Sequence, residues 1–302
     1  MKIEDIKISV IIPVFNREKS IGRAVNSVLS QSFKDFELVI VDDCSTDNSI
    51  GILRNFSDPR IRIYQLRRNS GAAAARNYGI KKSSNNLIAF LDSDDTYEQD
   101  FLKVSYETLS NSGENIGFMW TGSNVYHGGN IYKQIWQPKR METPHLTFLT
   151  ELKIGTGAGV TVKREVFEKC GYFDERLPAA EDTEFFFRIT QIFDYIYAPL
   201  NLINIYRDDN DRMSKNFKNI AEAYNIFLPT YFPVIDRDKN LQGKFYYKMM
   251  WLNYNLGDKI KARNYYEKIP KEFRSKKIKG IKAFYEFLPL KFASYLHLKL
   301  SS

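Results

Sequence analysis

Leu87–Asp95 reads Leu-Ile-Ala-Phe-Leu-Asp-Ser-Asp-Asp, a short apolar run that ends in three carboxylates within four residues. Buried strands of parallel sheets have continuous apolar runs of this kind. In open α/β sheets, ligands bind beyond the carboxyl ends of the strands. We therefore expect Asp92, Asp94 and Asp95 to lie at a sheet edge where a binding site forms.

These three carboxylates repel one another unless a cation or hydrogen-bond donors compensate their charge. Mg²⁺ and Mn²⁺ prefer oxygen ligands in proteins and commonly share a site with phosphate oxygens. The cluster therefore predicts a site for one of these cations. The alternative is a solvated turn after the strand, because Asp and Ser are common turn residues.

Apolar runs alternate with helical spacings on both sides of this stretch. Strands are predicted at Ile8–Val14, Phe36–Val41, Ile61–Gln65, Leu87–Leu91, Ile116–Thr121 and Tyr195–Tyr206, and helices at 20–30, 49–56, 71–80, 101–110, 163–170 and 183–190. This alternation is typical of βαβ units and a mostly parallel sheet. From Asn216 onward the pattern is helical, with interruptions predicted at Pro229, Pro233, Gly257, Pro270 and Pro289.

The positive charge of the chain is concentrated at its C-terminal end. The formal net charge is +8 over 302 residues, but residues 239–302 alone carry 15 Lys and Arg against 4 Asp and Glu. Such asymmetry indicates an anionic partner, either a membrane or a nucleic acid. The two cysteines do not form a disulfide framework, and the sequence has neither a signal-peptide pattern nor an apolar stretch long enough to span a bilayer. We therefore expect a cytoplasmic location.

Polar residues follow three of the predicted strands and should converge on one sheet edge. They are Pro13–Glu18, Asp42–Asp47 and Asp92–Asp95, with Arg67–Gly79 between them in the sequence. A buried carboxylate such as Asp43 can accept an N–H from a base edge, and guanidinium groups can neutralise phosphates. The small residues after Gly71 allow a backbone to approach a ligand closely. Neither a P-loop nor a Gly-x-Gly-x-x-Gly motif occurs, which argues against a P-loop or dinucleotide fold.

Four motifs in this order carry a family resemblance. They are Pro-Val-Phe-Asn-x-Glu from Pro13, Val-Asp-Asp-x-Ser-x-Asp from Val41, Asn-x-Gly-x-x-x-Ala-Arg-Asn-x-Gly from Asn69 and Asp-Ser-Asp-Asp from Asp92. Together they resemble the family 2 glycosyltransferases of the GT-A fold. The resemblance implies a Rossmann-like α/β domain with a mixed, mostly parallel sheet flanked by helices. It also implies that Asp92 and Asp94 hold Mn²⁺ or Mg²⁺ on the donor diphosphate, with Asp94 as the direct ligand.

The same resemblance implies a set of residues that bind the nucleotide sugar. The set is Pro13, Val14, Phe15, Asn16, Glu18, Asp43, Asn69, Gly71, Arg76, Asp92 and Ser93. Within it, Pro13, Phe15, Glu18 and Asp43 are expected to line the base and ribose. Asn69 and Arg76 are expected to lie by the nucleotide, on its base or diphosphate side.

A second part of the resemblance lies downstream. Gly171–Glu175 resembles the acceptor-side segment of the family, and Glu181-Asp182 resembles its catalytic acidic pair. Inverting transfer needs a carboxylate that takes the proton of the acceptor hydroxyl. The resemblance implies that Asp182 is this base, with Glu181 beside it. The alternative is that both acids only stabilise the start of the following helix, and the two roles are compatible.

One segment departs from the family pattern. Relatives often have Tyr-Arg-x-His-x-x-Ser after the last core strand, with a His that approaches the metal or diphosphate. Here the segment Tyr206–Ser214 contains no His. Either Asp209 or Asp211 ligates the metal in its place, or the segment only caps the site.

The C-terminal stretch Lys271–Ser302 interleaves lysines with aromatic and aliphatic residues. This pattern is typical of a helix that lies in a membrane interface, where each lysine near an anionic leaflet adds roughly 1 kcal/mol. The alternative is a helical extension with a solvated basic face. No nucleic-acid recognition motif accompanies the charge, so nucleic-acid binding is not predicted.

The sequence and its resemblance thus predict an inverting, metal-dependent glycosyltransferase of bacterial cell-surface polysaccharide biosynthesis. The expected donor is a UDP-sugar, and the expected acceptor is a saccharide hydroxyl on a lipid carrier at the inner face of the plasma membrane. The predicted domains are a catalytic domain over 1–214, with nucleotide-sugar and acceptor halves at 1–100 and 101–214, and a helical extension over 215–302. Two alternatives remain, a sugar-phosphate nucleotidyltransferase and a non-catalytic, membrane-attached nucleotide-sugar-binding protein. The first lacks the Gly-rich triphosphate loop of such enzymes.

Overall fold

The computed structural model describes residues 8–127, 130–136, 141, 144, 147–148, 159–207 and 216–301. The chain divides into two compact units. One consists of Met1–Phe148, Leu152–Glu175 and Glu181–Asn210, and the other of Leu149–Glu151, Arg176–Ala180 and Asp211–Ser302. The domain boundary predicted between residues 214 and 215 lies outside the described residues and stays a prediction.

The described strands of the first unit form one sheet. They are β1 (Ile8–Val14), β2 (Phe36–Asp42), β3 (Ile61–Gln65), β4 (Leu87–Phe90), β5 (Thr96–Tyr97), β6 (Ile116–His127), β7 (Asn130–Trp136), β8 (Val160–Lys163) and β9 (Asp194–Tyr206). Their spatial order is β3-β2-β1-β4-β8-β6-β9-β5, with β7 paired to β6. Strands β1 to β4 are parallel neighbours, and so are β6 and β9. Strands β8, β5 and β7 pair in antiparallel fashion. The predicted mixed, mostly parallel sheet is confirmed.

Helices cover both faces of this sheet. They are α1 (Ile21–Leu29), α2 (Ser49–Leu53), α3 (Ala72–Lys82), α4 (Phe101–Ser110), α5 (Arg164–Cys170) and α6 (Glu181–Ile189). Alternate strand residues point to opposite faces, so Val10 and Ile12 pack into the core with α1, α2 and α4. Ile11 packs into the second core with α3, α5 and α6. The parallel strands β1, β2 and β4 are therefore buried on both sides, as their continuous apolar runs predicted, whereas the edge strand β3 is partly exposed.

Helix α3 lies very close to the sheet. A Cβ added to Gly79 would be only 2.6 Å from Cγ2 of Ile11, so a larger residue there would push α3 away from β1. The helix begins directly after Gly71, whose φ of 90° is in the region that favours glycine. This close packing places Arg76 and Asn77 in the protein interior.

The described part of the second unit is helical. It contains α7 (Phe217–Ile235), α8 (Lys239–Asn255), α9 (Lys259–Lys268), a 3₁₀ turn at Lys271–Phe273, α10 (Lys276–Phe287) and α11 (Leu290–Ser301). The predicted interruptions at Pro229 and Pro233 are wrong, because both prolines lie inside α7. Proline removes a backbone donor but has a helical φ, and buried residues such as Phe227 and Ile235 hold this helix in place. Gly257, Pro270 and Pro289 do lie between helices, as predicted.

Two further sequence expectations concern membranes and disulfides. Within the described ranges, no helix combines the length and the apolar character that a bilayer crossing requires. Cys44 and Cys170 are both free thiols.

Candidate active site

The acidic cluster at the end of β4 forms a compact group of oxygen ligands. One carboxylate oxygen from each of Asp92, Asp94 and Asp95 lies within 4.8 Å of the others. The turn that brings them together is closed by the Asp95 amide, which donates to the Asp92 carbonyl at 3.1 Å. Asp95 is buried, and its Oδ1 accepts the Tyr206 amide at 3.0 Å. Asp92 and Asp94 are half-buried, so they are the two best placed to hold a hard cation.

Two arginines from the start of α1 and the loop before it approach this cluster. Arg17 places Nη2 3.7 Å from Oδ2 of Asp94. Arg23 donates from Nη2 to the Asp94 carbonyl at 2.8 Å and stacks its guanidinium 3.6 Å above the Tyr206 ring. Neither arginine is among the site residues predicted from the sequence. Arg17 could have been predicted, because it occupies the variable position of the first motif, between Asn16 and Glu18.

Arg76 joins the acidic cluster to the Glu181-Asp182 pair. Its side chain is 3% exposed. Nη2 donates to Oδ1 of Asp92 at 3.0 Å, and Nη1 donates to Oε1 of Glu181 at 2.8 Å. Nη1 also lies 3.9 Å from Oδ1 of Asp182. One buried cation thus holds together carboxylates from two distant parts of the chain.

The electrostatics of Arg76 follow from this position. Burial alone would lower the pKa of its guanidinium, but the carboxylates of Asp182, Asp92 and Glu181 outweigh burial and raise that pKa above its ordinary value. Arg76 is therefore a permanent cation. A buried cation needs paired anions, and these three carboxylates surround it.

The Glu181-Asp182 pair forms the first turn of α6, where negative charge is favoured by the helix dipole. The expected helix start at residue 183 was two residues late. The two side chains differ in exposure, 8% for Glu181 and 19% for Asp182. Glu181 therefore acts as the ion-pair partner of Arg76, while Asp182 is the more solvent-accessible of the two acids.

Asp43 holds the loop that precedes α3. Its Oδ1 accepts the Ser70 amide and its Oδ2 accepts the Gly71 amide, both at 2.7 Å. Burial raises the pKa of Asp43, and the two backbone hydrogen bonds partly offset that effect. Each carboxylate oxygen has a second lone pair. The residue expected to read the nucleotide base therefore also fixes the loop beside it.

The loops after β1 and β2 are locked together by hydrogen bonds. The Asn16 side chain accepts the Thr46 amide at 2.8 Å, and its own amide donates to Ser45 Oγ at 2.9 Å. The Asn48 amide donates to Oε2 of Glu18 at 3.0 Å. Asn16 has a φ of 52°, an uncommon value outside glycine. Asn16 and Glu18 thus hold together the two loops at which the nucleotide site is predicted.

The remaining predicted residues lie in different environments. Phe15 is 40% exposed and presents its ring at this edge, and Pro13 is half-buried. Val14 is buried in the core, so only its backbone can face a ligand. Asn69 is exposed in the loop before α3, and Ser93 is buried in the acidic turn.

Asn77 is a further residue to which the sequence motifs assign no role. Its Nδ2 donates to the Phe173 carbonyl at 2.9 Å and to Oε1 of Glu175 at 2.8 Å. The Phe173 amide donates back to its Oδ1 at 3.0 Å. Asn77 thus fastens the predicted acceptor-side segment to α3. Asp209 and Asp211, the predicted substitutes for a His, lie outside the described residues.

Comparisons with known proteins agree with this arrangement. The sequence model described as "Glycosyl transferase family 2" matches residues 9–171. Among curated relatives, the putative teichuronic acid biosynthesis glycosyltransferase TuaG of Bacillus subtilis is 41% identical over 120 residues, 39% of this chain and 47% of TuaG. The UDP-Glc:alpha-D-GlcNAc-diphosphoundecaprenol beta-1,3-glucosyltransferase WfgD of Escherichia coli is 33% identical over 138 residues, 46% of this chain and 54% of WfgD. The matched region thus spans about half the length of these two relatives.

A solved structure extends the likeness of the fold beyond the matched region. The crystal structure of S. aureus TarS 1-349 in complex with UDP-GlcNAc superposes with a TM-score of 0.70 at 17% identity, over 97% of this chain and 90% of the TarS chain. At that identity, the likeness is one of fold. Since the family model covers more than half of the sequence, the chain belongs to glycosyl transferase family 2 and has the GT-A fold.

Proposed function

We propose that this chain is an inverting glycosyltransferase that moves a sugar from a nucleoside diphosphate sugar to a hydroxyl of a glycan acceptor. The observation that carries the proposal is the position of Arg76, which contacts Asp92 on one side and Glu181 on the other. A transferase must bring a leaving diphosphate and an acceptor hydroxyl to the same carbon. A buried cation that fixes both acidic groups supports this geometry.

The acidic cluster fits a divalent cation. Its ligand atoms are carboxylate oxygens within 4.8 Å of one another, and these are the ligands that Mg²⁺ and Mn²⁺ prefer. Asp94 and Asp92 would hold the ion, with Asp94 as the direct ligand. When bound, the ion neutralises the charge that develops on the departing diphosphate. Arg17, 3.7 Å from Asp94, adds a second positive charge on the same side.

Asp182 is the proposed general base, and Glu181 is its positioning neighbour. Glu181 is tied to Arg76 by a hydrogen bond of 2.8 Å, whereas Asp182 is 3.9 Å from the same guanidinium and more exposed. The looser contact lets the Asp182 carboxylate accept the proton of the acceptor hydroxyl while oxygen attacks the anomeric carbon. Because the oxygen attacks from the face opposite the departing diphosphate, the configuration at the anomeric carbon is inverted.

The nucleotide is proposed to lie over the ends of β1 and β2. The exposed ring of Phe15 offers a stacking surface, and the second lone pairs of the Asp43 carboxylate can accept a base N–H. Pro13, Asn16, Glu18, Asn69, Gly71 and Ser93 complete the proposed nucleotide-sugar site together with the Val14 backbone. UDP is the proposed nucleotide, because the TarS structure holds UDP-GlcNAc and the name of WfgD specifies UDP-Glc.

The acceptor is proposed to be a lipid-linked saccharide of bacterial cell-surface polysaccharide biosynthesis. The names of two relatives support this assignment, since TuaG is described with teichuronic acid and WfgD with a diphosphoundecaprenol acceptor. We further propose the division into a catalytic domain over 1–214, with its halves 1–100 and 101–214, and a helical extension over 215–302.

The extension is proposed to attach the protein to the inner face of the plasma membrane. At the junction of α10 and α11, Phe287 is 85% exposed and Phe292 is 64% exposed, with Leu288 and Leu290 also exposed between them. Lys291 lies within the same stretch, and Lys276, Lys277 and Lys279 are exposed at the start of α10. Apolar side chains beside lysines match the acyl boundary and the anionic headgroups of a leaflet.

The proposed activity is tested by incubating the purified chain and Mn²⁺ with a panel of UDP-, GDP- and dTDP-sugars and a diphosphoundecaprenol-linked saccharide as the acceptor. We expect release of UDP from one or more UDP-sugars and no nucleotide release by Asp94→Ala. A product mass then identifies the transferred sugar. If no nucleotide sugar is bound or turned over, the proposed function is wrong and a role without catalysis replaces it.

A further inference from the structure

A basic cavity lies along the outer side of α3. Its volume is about 350 Å³, which falls in the range of small-ligand sites. It is lined by Leu66, Arg67, Arg68, Ser70, Ala74, Tyr78, Lys81 and Glu175. Three of these side chains are cations and one is a carboxylate, so the lining carries a net positive charge.

The cations of this cavity are not neutralised within the described part of the chain, where Arg67, Arg68 and Lys81 form no ion pair. Lys81 instead places Nζ 5.2 Å from the centre of the Tyr172 ring. The carboxylate of Glu175 is held by Asn77, whose Nδ2 donates to it at 2.8 Å. The cavity therefore combines available positive charge with a fixed hydrogen-bond acceptor.

The cavity and the candidate active site lie on opposite sides of one helix. Residues along an α-helix are about 100° apart, so Ala74, Tyr78 and Lys81 share one side of α3. Arg76 points away from them, into the carboxylate network. Ser70, which lines the cavity just before α3 begins, donates its backbone amide to Oδ1 of Asp43 at 2.7 Å. The lining therefore includes both the loop that Asp43 fixes and Glu175 of the predicted acceptor-side segment.

We propose that this cavity binds an anionic group, a phosphate or a carboxylate, carried by the glycan acceptor at a distance from the reacting hydroxyl. Guanidinium groups bind such anions through paired hydrogen bonds, and lysine adds a point charge. The Ser70 and Tyr78 hydroxyls and the Glu175 carboxylate are suited to the hydroxyls of an attached sugar. The assignment of this anion to an acceptor rests on the proposed glycosyl transfer.

The test uses the full chain and defined probes. Calorimetry at low ionic strength measures binding of an oligogalacturonate, of inorganic phosphate and of a neutral dextran oligosaccharide. The test variant is Arg67→Gln with Arg68→Gln. The control is Arg54→Gln with Lys103→Gln, which removes the same amount of charge. Arg54 is exposed after α2 and Lys103 is exposed on α4, and both helices pack on the face of the sheet opposite to α3.

The oligogalacturonate is expected to bind to the wild type and the control with affinities that agree within about twofold, and about tenfold more weakly to the double arginine variant, since hydrogen bonds to charged groups are among the strong ones. Weakened phosphate binding alongside it identifies the anion as the recognised group. Equal loss in both variants, or dextran binding as tight as the oligogalacturonate, would overturn the proposal. Binding of UDP with Mn²⁺ is measured in parallel. If the wild type does not bind UDP, the proposed function is wrong. If it binds UDP but neither the oligogalacturonate nor phosphate, only the proposal for the cavity is wrong.

Discussion

The sheet edge and the C-terminal helices use charge in opposite ways. At the sheet edge, Asp92 and Glu181 are paired with a buried arginine and fixed by hydrogen bonds of 2.8 to 3.0 Å. In the helical unit, the excess of lysine is exposed and lies beside apolar side chains such as Phe287. Paired and buried charge orders groups for chemistry, whereas exposed charge next to apolar surface suits adhesion. A substitution should therefore affect either catalysis or attachment, but not both.

The largest effect is expected from Asp182→Asn at the sheet edge. Removing a general base typically lowers the rate by about 10²- to 10⁴-fold, so kcat for UDP release should fall by that factor. UDP affinity should change little, because the donor side is untouched. The matched control is Glu107→Gln, an exposed acid on α4. If Asp182→Asn is as active as the control, Asp182 is not the general base.

Arg76→Gln should damage the same network through stability. The substitution leaves carboxylates at the site without their buried cation, and breaking a buried ion pair costs about 3–5 kcal/mol. The midpoint of urea unfolding should fall accordingly, while Arg54→Gln leaves it within experimental error. If the unfolding free energy of the Arg76 variant is unchanged, the guanidinium does not hold the network together.

In the helical unit, Phe287→Ser with Phe292→Ser should weaken membrane binding without loss of UDP release. Burial of an aromatic side chain contributes about 1.5–3 kcal/mol, so the partition coefficient on vesicles of anionic phosphatidylglycerol should fall about tenfold or more. Vesicles of neutral phosphatidylcholine should bind the wild type weakly. The control is Ile192→Ser with Leu200→Ser, two exposed apolar residues of the other unit. Equal binding by both variants would contradict attachment through α10 and α11.

The smallest effect concerns acid stability of the helical unit. Glu286 accepts hydrogen bonds from Arg263 and Tyr254, and the first of these chiefly holds its pKa at about 2, below the ordinary 4.5. A lowered folded-state pKa gives stability that is present above pH 4.5 and is lost as the pH falls toward 2. Because Arg263 is exposed, we expect this loss of stability to be small. Thermal melts between pH 6 and 2 should show this loss in the wild type and a smaller one in Glu286→Gln. If Glu286→Gln loses as much stability as the wild type, the loss comes from other groups.

The two regions also differ in how well the sequence predicted them. The bounds of β1, β3 and α4 agree with the structure, because a strand or an amphipathic helix leaves its pattern in adjacent residues. In the helical unit, local rules predicted breaks at Pro229 and Pro233, and both lie inside α7. Buried packing of this helix outweighs the local cost of proline there.

At the site, sequence motifs identified the acidic residues but not their partners. The contact of Arg76 with Glu181 joins residues 105 positions apart, and no local pattern encodes such a pairing. Likewise, Val14 belongs to a motif whose outward face cannot be distinguished from its buried face before the sheet is known. The role of Asn77 as the fastener of residues 173–175 emerges only from the fold.

The central claim is that Asp92 and Asp94 form a metal-dependent grip on a nucleoside diphosphate. Calorimetric titration of UDP into the wild type and Asp94→Ala, each with and without Mn²⁺, tests it most directly. We predict that UDP binds the wild type only weakly without Mn²⁺ and at least about tenfold more tightly with it, and that Asp94→Ala loses this gain. Equal affinity for UDP in all four titrations would contradict the account.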